Sequence, residues 1–121
     1  MKTAVAALLR AGADVNHINP VGLSALHAAS RKGRTGAVMS LLNAPRVDVN
    51  LRTADKNRST ALHLACAKGC LKIVGELLRA GADPSALDAD GRRPADIARG
   101  KATLRTVESH LVGMWWFVNL W

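Results

Sequence analysis

Two blocks of sequence recur in register along this chain, and they decide what it can fold into. Gly22-Leu23-Ser24-Ala25-Leu26-His27-Ala28-Ala29 returns as Arg58-Ser59-Thr60-Ala61-Leu62-His63-Leu64-Ala65, and again, worn down, as Gly91-Arg92-Arg93-Pro94-Ala95-Asp96-Ile97-Ala98. A second block keeps the same beat. Leu8-Leu9-Arg10-Ala11-Gly12-Ala13-Asp14-Val15-Asn16 matches Leu77-Leu78-Arg79-Ala80-Gly81-Ala82-Asp83-Pro84-Ser85, and residues 41–50 are the same block with one residue inserted. The spacing is 33 residues from Thr60 to Arg93 and 36 from Ser24 to Thr60. Units of this size cannot bury an apolar face alone, so they must stack into a solenoid.

Each unit reads as two helices and a turn. Thr60 is an N-cap, because its hydroxyl can accept from a free amide of the first turn. In the last copy Pro94 stands at the first helical position, where a missing N–H costs nothing. Leu62 and Ala65, three apart, share one helix face, and Gly69 stops that helix. A second helix is predicted from about Cys70 to Arg79, with Leu71, Val74, Leu77 and Leu78 at helical spacing. Gly81 follows where a positive φ is wanted. Asp88-Ala89-Asp90-Gly91 reads as a turn between extended segments.

In these motifs the chain resembles the ankyrin repeat family over about residues 2–111. The resemblance implies an all-α repeat solenoid of helix-turn-helix units joined by short β-hairpin loops. In this frame residues 2–18 are the second helix and exit loop of a partial first repeat. Residues 19–54 and 55–87 are complete repeats, 88–111 a degenerate last one, and 112–121 an apolar Trp-rich tail. Because the first helix of the first repeat is missing, Val5, Leu8 and Leu9 are expected to be poorly covered and the amino-terminal helix to fray. The chain accordingly reads as a piece of a longer array or a truncated product.

The departures from the family pattern are specific. Arg58 replaces a turn glycine, which strains or reshapes that hairpin. Ala95-Asp96 stands where Leu-His is expected, and Gly100-Lys101-Ala102 disturbs the end of the same helix. The second helix of the last repeat is therefore the least defined element. All four aromatic residues, Trp115, Trp116, Phe117 and Trp121, fall in the last seven positions of the chain. Three readings of that tail stay open: a cap folded back on the stack, the start of a further segment, or a hydrophobic anchor for a partner or membrane.

Charge and cysteine usage narrow the setting. With 17 Lys and Arg against nine Asp and Glu, the net charge of +8 favours acidic partners. Two cysteines, Cys66 and Cys70, are too few for a disulfide framework and point to a reducing, intracellular compartment, cytoplasmic or nuclear. The opening Met1-Lys2-Thr3-Ala4-Val5 superficially looks like a signal peptide, but Arg10 cuts its apolar run short. No stretch reaches the roughly 18 apolar residues of a membrane-spanning helix.

No constellation argues for an enzyme. His27 and His63 sit beside Ser24 and Thr60 but lack an orienting acid, and in ankyrin repeats the histidine at this position ties neighbouring hairpins by hydrogen bonds. His63, Cys66 and Cys70 lack a fourth metal ligand, and Cys70 lies across a helix break. Gly100-Lys101-Ala102-Thr103 fails as a phosphate loop, since Ala95 stands where the leading glycine is required. No cofactor is implied.

The resemblance also implies a binding surface, the concave side built from hairpin tips and first helices. Carried over position by position, it comprises Ile18, Val21, Leu23, Arg31 and Lys32, then Arg52, Lys56, Asn57, Ser59 and Lys68, then Leu87, Asp90 and Arg92. Pro20, Ala67, Ala89 and Lys101 flank them. One end is apolar (Ile18, Val21, Leu23), and the remainder is basic with Asp90 as the one acid. The expected partner is a protein segment, acidic along most of its length, with a hydrophobic anchor near Leu23. Electrostatic binding to nucleic acid or an anionic surface is the alternative, though no aromatic lies in the groove to stack on bases. A spacer or regulatory role within a larger protein is a third.

Overall fold

The structure, a computed structural model, describes residues 14–109. Most of the partial first repeat and the Trp-rich tail lie outside them.

Two complete helical hairpins form the body. Helix α1 (Ala25–Lys32) pairs with α2 (Thr35–Leu42), and α3 (Ala61–Lys68) with α4 (Leu71–Arg79). Both first helices start in the same way. The Ser24 and Thr60 hydroxyls accept from the amides of His27 and His63, each at 3.3 Å, and both helices end on a glycine in the left-handed conformation. The sequence blocks thus specify entry and exit of each helix independently of the rest of the stack.

Stacking buries one continuous apolar seam. Leu26, Ala29, Val38 and Leu41 of the first hairpin join Leu62, Ala65, Cys66, Ile73, Val74 and Leu77 of the second. Leu62, Ile73 and Leu77 are wholly inaccessible. Each such side chain contributes about 1.5–3 kcal/mol by leaving water. First helices pack on one another through Ala and Leu more extensively than the second helices do.

The last repeat departs from the pattern. Pro94–Ile97 form a single 3-10 turn in place of a first helix, and residues 101–109 are helical (α5). The cause is length: nine residues separate Thr60 from Gly69, but only seven separate Arg93 from Gly100, too few for two helical turns. The least defined element of the sequence is nonetheless a helix, fixed by Thr103 and Val107, which lie four apart and are both buried.

The hairpin loops differ from expectation. Among the described residues there is no strand. Each loop is closed by a backbone bond, Asn19 N–H to Leu23 O, Thr53 N–H to Ser59 O and Asp88 N–H to Arg92 O, at 2.9, 2.8 and 2.9 Å. That is a tight turn with the outline of a hairpin but no ladder behind it. The first and third loops close across four residues and the middle one across six. The three residues by which the middle period exceeds 33 therefore divide, one in the exit loop after α2 and two in this tip.

Candidate partner-binding surface

Neighbouring repeats are joined by two polar ladders that fix where the hairpin tips lie. In the first, Nδ1 of each histidine accepts the amide of its own N-cap residue (Ser24 at 3.0 Å, Thr60 at 3.2 Å). An amide can only donate, so Nε2 carries the ring proton and donates forward, from His27 to Leu51 O at 2.7 Å and from His63 to Arg92 O at 2.8 Å. In the second ladder Asn16 spans to Arg46 O and the Asp48 amide, and Asn50 to Gly81 O and the Asp83 amide. Both ladders stop in the same region. Ser85 occupies the third asparagine position, and Asp96 occupies the third histidine position. The Asp96 carboxylate accepts the Arg93 amide at 2.8 Å, reproducing only the inward half of the histidine's role.

The tips themselves are stitched edge to edge. Ala54 N–H donates to Gly22 O at 2.8 Å, and Ala89 N–H to Asn57 O at 2.9 Å. Gly22 is required for this approach: a Cβ there would lie 2.9 Å from the Asp55 nitrogen, and its φ is +94°. The tips therefore form one shelf along the stack.

The site residues expected from the sequence divide into four sets. Val21, Lys56, Asn57, Leu87 and Asp90 are exposed on the shelf, Val21 at 70% and Leu87 at 49%, and Ile18 is half-buried. Arg31, Lys32 and Lys68 are exposed at the far ends of the first helices. An eight-residue helix spans about 12 Å, so shelf and helix ends are two basic rims. Along the first helices themselves, Ala25 is exposed and Ala28 and Leu64 are half-buried.

Leu23 and Ser59 do not belong to this surface. They are 5% and 8% exposed, because the residues before the N-caps Ser24 and Thr60 are turned into the stack. The Ser59 amide donates to Thr53 Oγ1, and the Leu23 amide to Asn19 Oδ1. Of the apolar residues expected at this end, Val21 is the exposed one. Arg92 and Arg52 lie on the surface, but their charge is engaged. Arg92 pairs with Asp88 at 3.2 Å and Asp90 at 3.1 Å, so Asp90 is not the lone acid. Arg52 donates to the carbonyls of Arg58 and Leu87, tying the middle tip to the next loop.

Two cations escaped sequence reasoning. The Lys68 stem lies across Gly33, 3.4 Å from where its Cβ would be; at Gly69 the nearest atom is instead the Arg99 backbone oxygen, at 3.0 Å, with the root of the Arg99 side chain beside it. A glycine at a helix end, with a cation one repeat further on, is the signal that could have found Arg99. The other is Arg58, exposed on the middle tip with φ +48°.

Electrostatics elsewhere is structural. Burial lowers the pKa of both histidines, so they stay neutral. Burial pushes the Cys66 thiol up to about 12, which leaves no thiolate for reaction at neutral pH. Among the described residues, no three or more His, Cys, Asp or Glu side chains gather as metal ligands.

Comparison with known proteins settles what the stack is. A family model described as ankyrin repeats, three copies, matches residues 1–88. The chain belongs to the ankyrin repeat family. It is similar to alpha-latroinsectotoxin-Lt1a of Latrodectus tredecimguttatus, 41% identical over 95 residues, covering 78% of this chain and 6% of the toxin. It is 39% identical over 72 residues to tyrosine-protein kinase HTK16 of Hydra vulgaris, covering 60% of this chain and 10% of the kinase. The ankyrin repeat domain of Bcl-3, a member of the IkappaB protein family, superposes with a TM-score of 0.77 at 30% identity, covering 84% of this chain and 44% of that domain. The chain thus spans a small part of the curated relatives it matches, 6% of the toxin and 10% of the kinase. Among the described residues, no helix is long and apolar enough to cross a membrane.

Proposed function

We propose that this ankyrin stack is a non-catalytic module that binds another protein along its concave face. The proposed partner segment is acidic, and an apolar side chain of it seats near Val21. The observation that carries the reading is the arrangement of two cationic rims, Lys56 with Arg58 and Lys32 with Lys68, at the two ends of first helices that carry Ala25, Ala28 and Leu64. Among the described residues no carboxylate pairs with any of these four cations. An unpaired rim steers and selects an acidic segment, while these small and apolar side chains supply burial. In this reading residues 19–54 and 55–87 are the recognition repeats and 88–111 closes the groove.

The test is capture from a nuclease-treated cell lysate by the parent chain and by a Lys32→Glu, Lys68→Glu variant. The reading expects a discrete protein held by the parent and lost by the variant. Equal capture by both would remove the groove from consideration. Loss of all binding on nuclease treatment would instead favour electrostatic attachment to nucleic acid through the +8 charge.

A further inference from the structure

Arg58 occupies a backbone position that its two counterparts give to glycine. Gly22 and Gly91 stand there with φ +94° and +74°, whereas Arg58 holds φ +48°. A side chain in the left-handed region costs roughly 1–2 kcal/mol, and such a residue persists only where its surroundings over-determine it. Here they do. The tip is pinned to the preceding hairpin by Ala54 N–H to Gly22 O and to the following one by Ala89 N–H to Asn57 O. Arg52 holds the Arg58 carbonyl at 3.3 Å.

The acid of the tip is spent on the same framework. Asp55 Oδ1 accepts from the Thr53 hydroxyl at 2.7 Å and from the Asn57 amide at 3.0 Å, and Thr53 Oγ1 in turn accepts the Ser59 amide at 2.9 Å. With its carboxylate turned inward, this loop, two residues longer than its neighbours, presents Lys56, Asn57 and Arg58 to solvent. Glycine would relieve the backbone, and among the described residues no carboxylate pairs with the Arg58 side chain.

We propose that the middle hairpin tip, residues 54–58, is the specificity-determining element of the stack, a rigid cationic finger whose Arg58 reads a cluster of carboxylates on the partner protein. The inference rests on the proposed function and assigns its selectivity to one loop. A guanidinium suits this role because its planar fork engages a carboxylate through two parallel bonds. Preorganisation of the finger removes part of the ordering cost on binding.

The experiment uses the whole chain, a fluorescein-labelled deca-glutamate peptide as probe, and urea unfolding in parallel. Arg58→Gly is expected to raise the unfolding midpoint while weakening peptide binding by roughly fivefold or more, the loss of one well-placed cation. Arg58→Gln is expected to weaken binding similarly without the gain in stability, since it keeps the strained backbone. Arg105→Gln, on an exposed position of α5 away from the groove, is expected to leave binding unchanged. If the parent binds the peptide and the Arg58 variants bind it as tightly, or Arg105→Gln costs as much, the finger assignment is overturned while the groove reading stands. If the parent does not bind the peptide, or an oligothymidylate displaces it at lower concentration than unlabelled peptide does, both fall.

Discussion

The imidazole of His63 bonds forward to Arg92 across the repeat boundary, Nε2 to the carbonyl oxygen at 2.8 Å, while its Nδ1 accepts the Thr60 amide at 3.2 Å. One buried ring thus holds the start of its own helix and the third hairpin at once. His63→Ala should leave that amide without a partner, take from the Arg92 carbonyl its inter-repeat bond (the Asp88 amide still donates to it) and open a cavity, costing on the order of 3 kcal/mol. Urea denaturation of the variant measures it, and a loss below about 1 kcal/mol would mean that the ladder is dispensable.

The same geometry sets a pH dependence. Burial lowers the pKa of His27 and His63, and the bonds to Leu51 and Arg92 and the nearby aspartates offset this only in part. The unfolded chain takes up these protons near the ordinary imidazole value of about 6.5, the folded chain only at lower pH. The stabilisation is therefore full above about pH 6.5 and is lost as pH falls through the folded-state values. Unfolding midpoints measured from pH 8 downward should decline first in this window. A second decline should follow below about pH 4, as carboxylates held low in the fold are protonated. Asp88 is one of these: burial alone would raise it, but the Arg92 and Asp90 amides and the Arg92 guanidinium outweigh that. With both histidines replaced by glutamine the first decline should vanish.

Arg46 sits at φ +67° in the exit loop that carries the inserted residue. Replacing it with glycine should raise stability by about 1 kcal/mol, because the left-handed region costs glycine nothing, less the extra entropy glycine loses on folding. The bond from Asn16 to the backbone carbonyl at this position, 2.7 Å, needs no side chain and should survive. Thermal unfolding of Arg46→Gly decides it, and a fall in Tm would show that the side chain contributes more than the strain removes.

Ser30 is fully buried, and among the described residues its hydroxyl has no hydrogen-bond partner. At the corresponding position of the next repeat stands Cys66, also fully buried. Ser30→Ala removes an unsatisfied polar atom and leaves almost no void, so it should stabilise by about 1 kcal/mol. A destabilised variant would point to a partner for that hydroxyl that the packing here does not provide.

Much of this architecture is legible in the residues alone, for a physical reason. Caps, helix stops and apolar spacing are local, so Thr60, Gly69 and the Leu77-Leu78 pair announce their roles without knowledge of neighbours. The binding surface is harder to read, since it depends on relations between loops. Spacing along the chain shows that the middle repeat is long, but not that two of the extra residues lie in the tip that presents Arg58. Nor does it show that Arg92 is neutralised by two aspartates, or that Leu23 and Ser59, each just before an N-cap, face inward and leave the surface.

Amide chemical-shift mapping of the isotopically labelled chain, titrated with the protein captured from the lysate, tests the central claim most directly. The account predicts shifts at Val21, Ala28, Lys32, Lys56, Arg58, Leu64 and Lys68, with the second helices unmoved. Shifts centred instead on Leu71, Lys72, Gly75 and Arg79 of α4 would contradict it, because the partner would then sit on the opposite face of the stack.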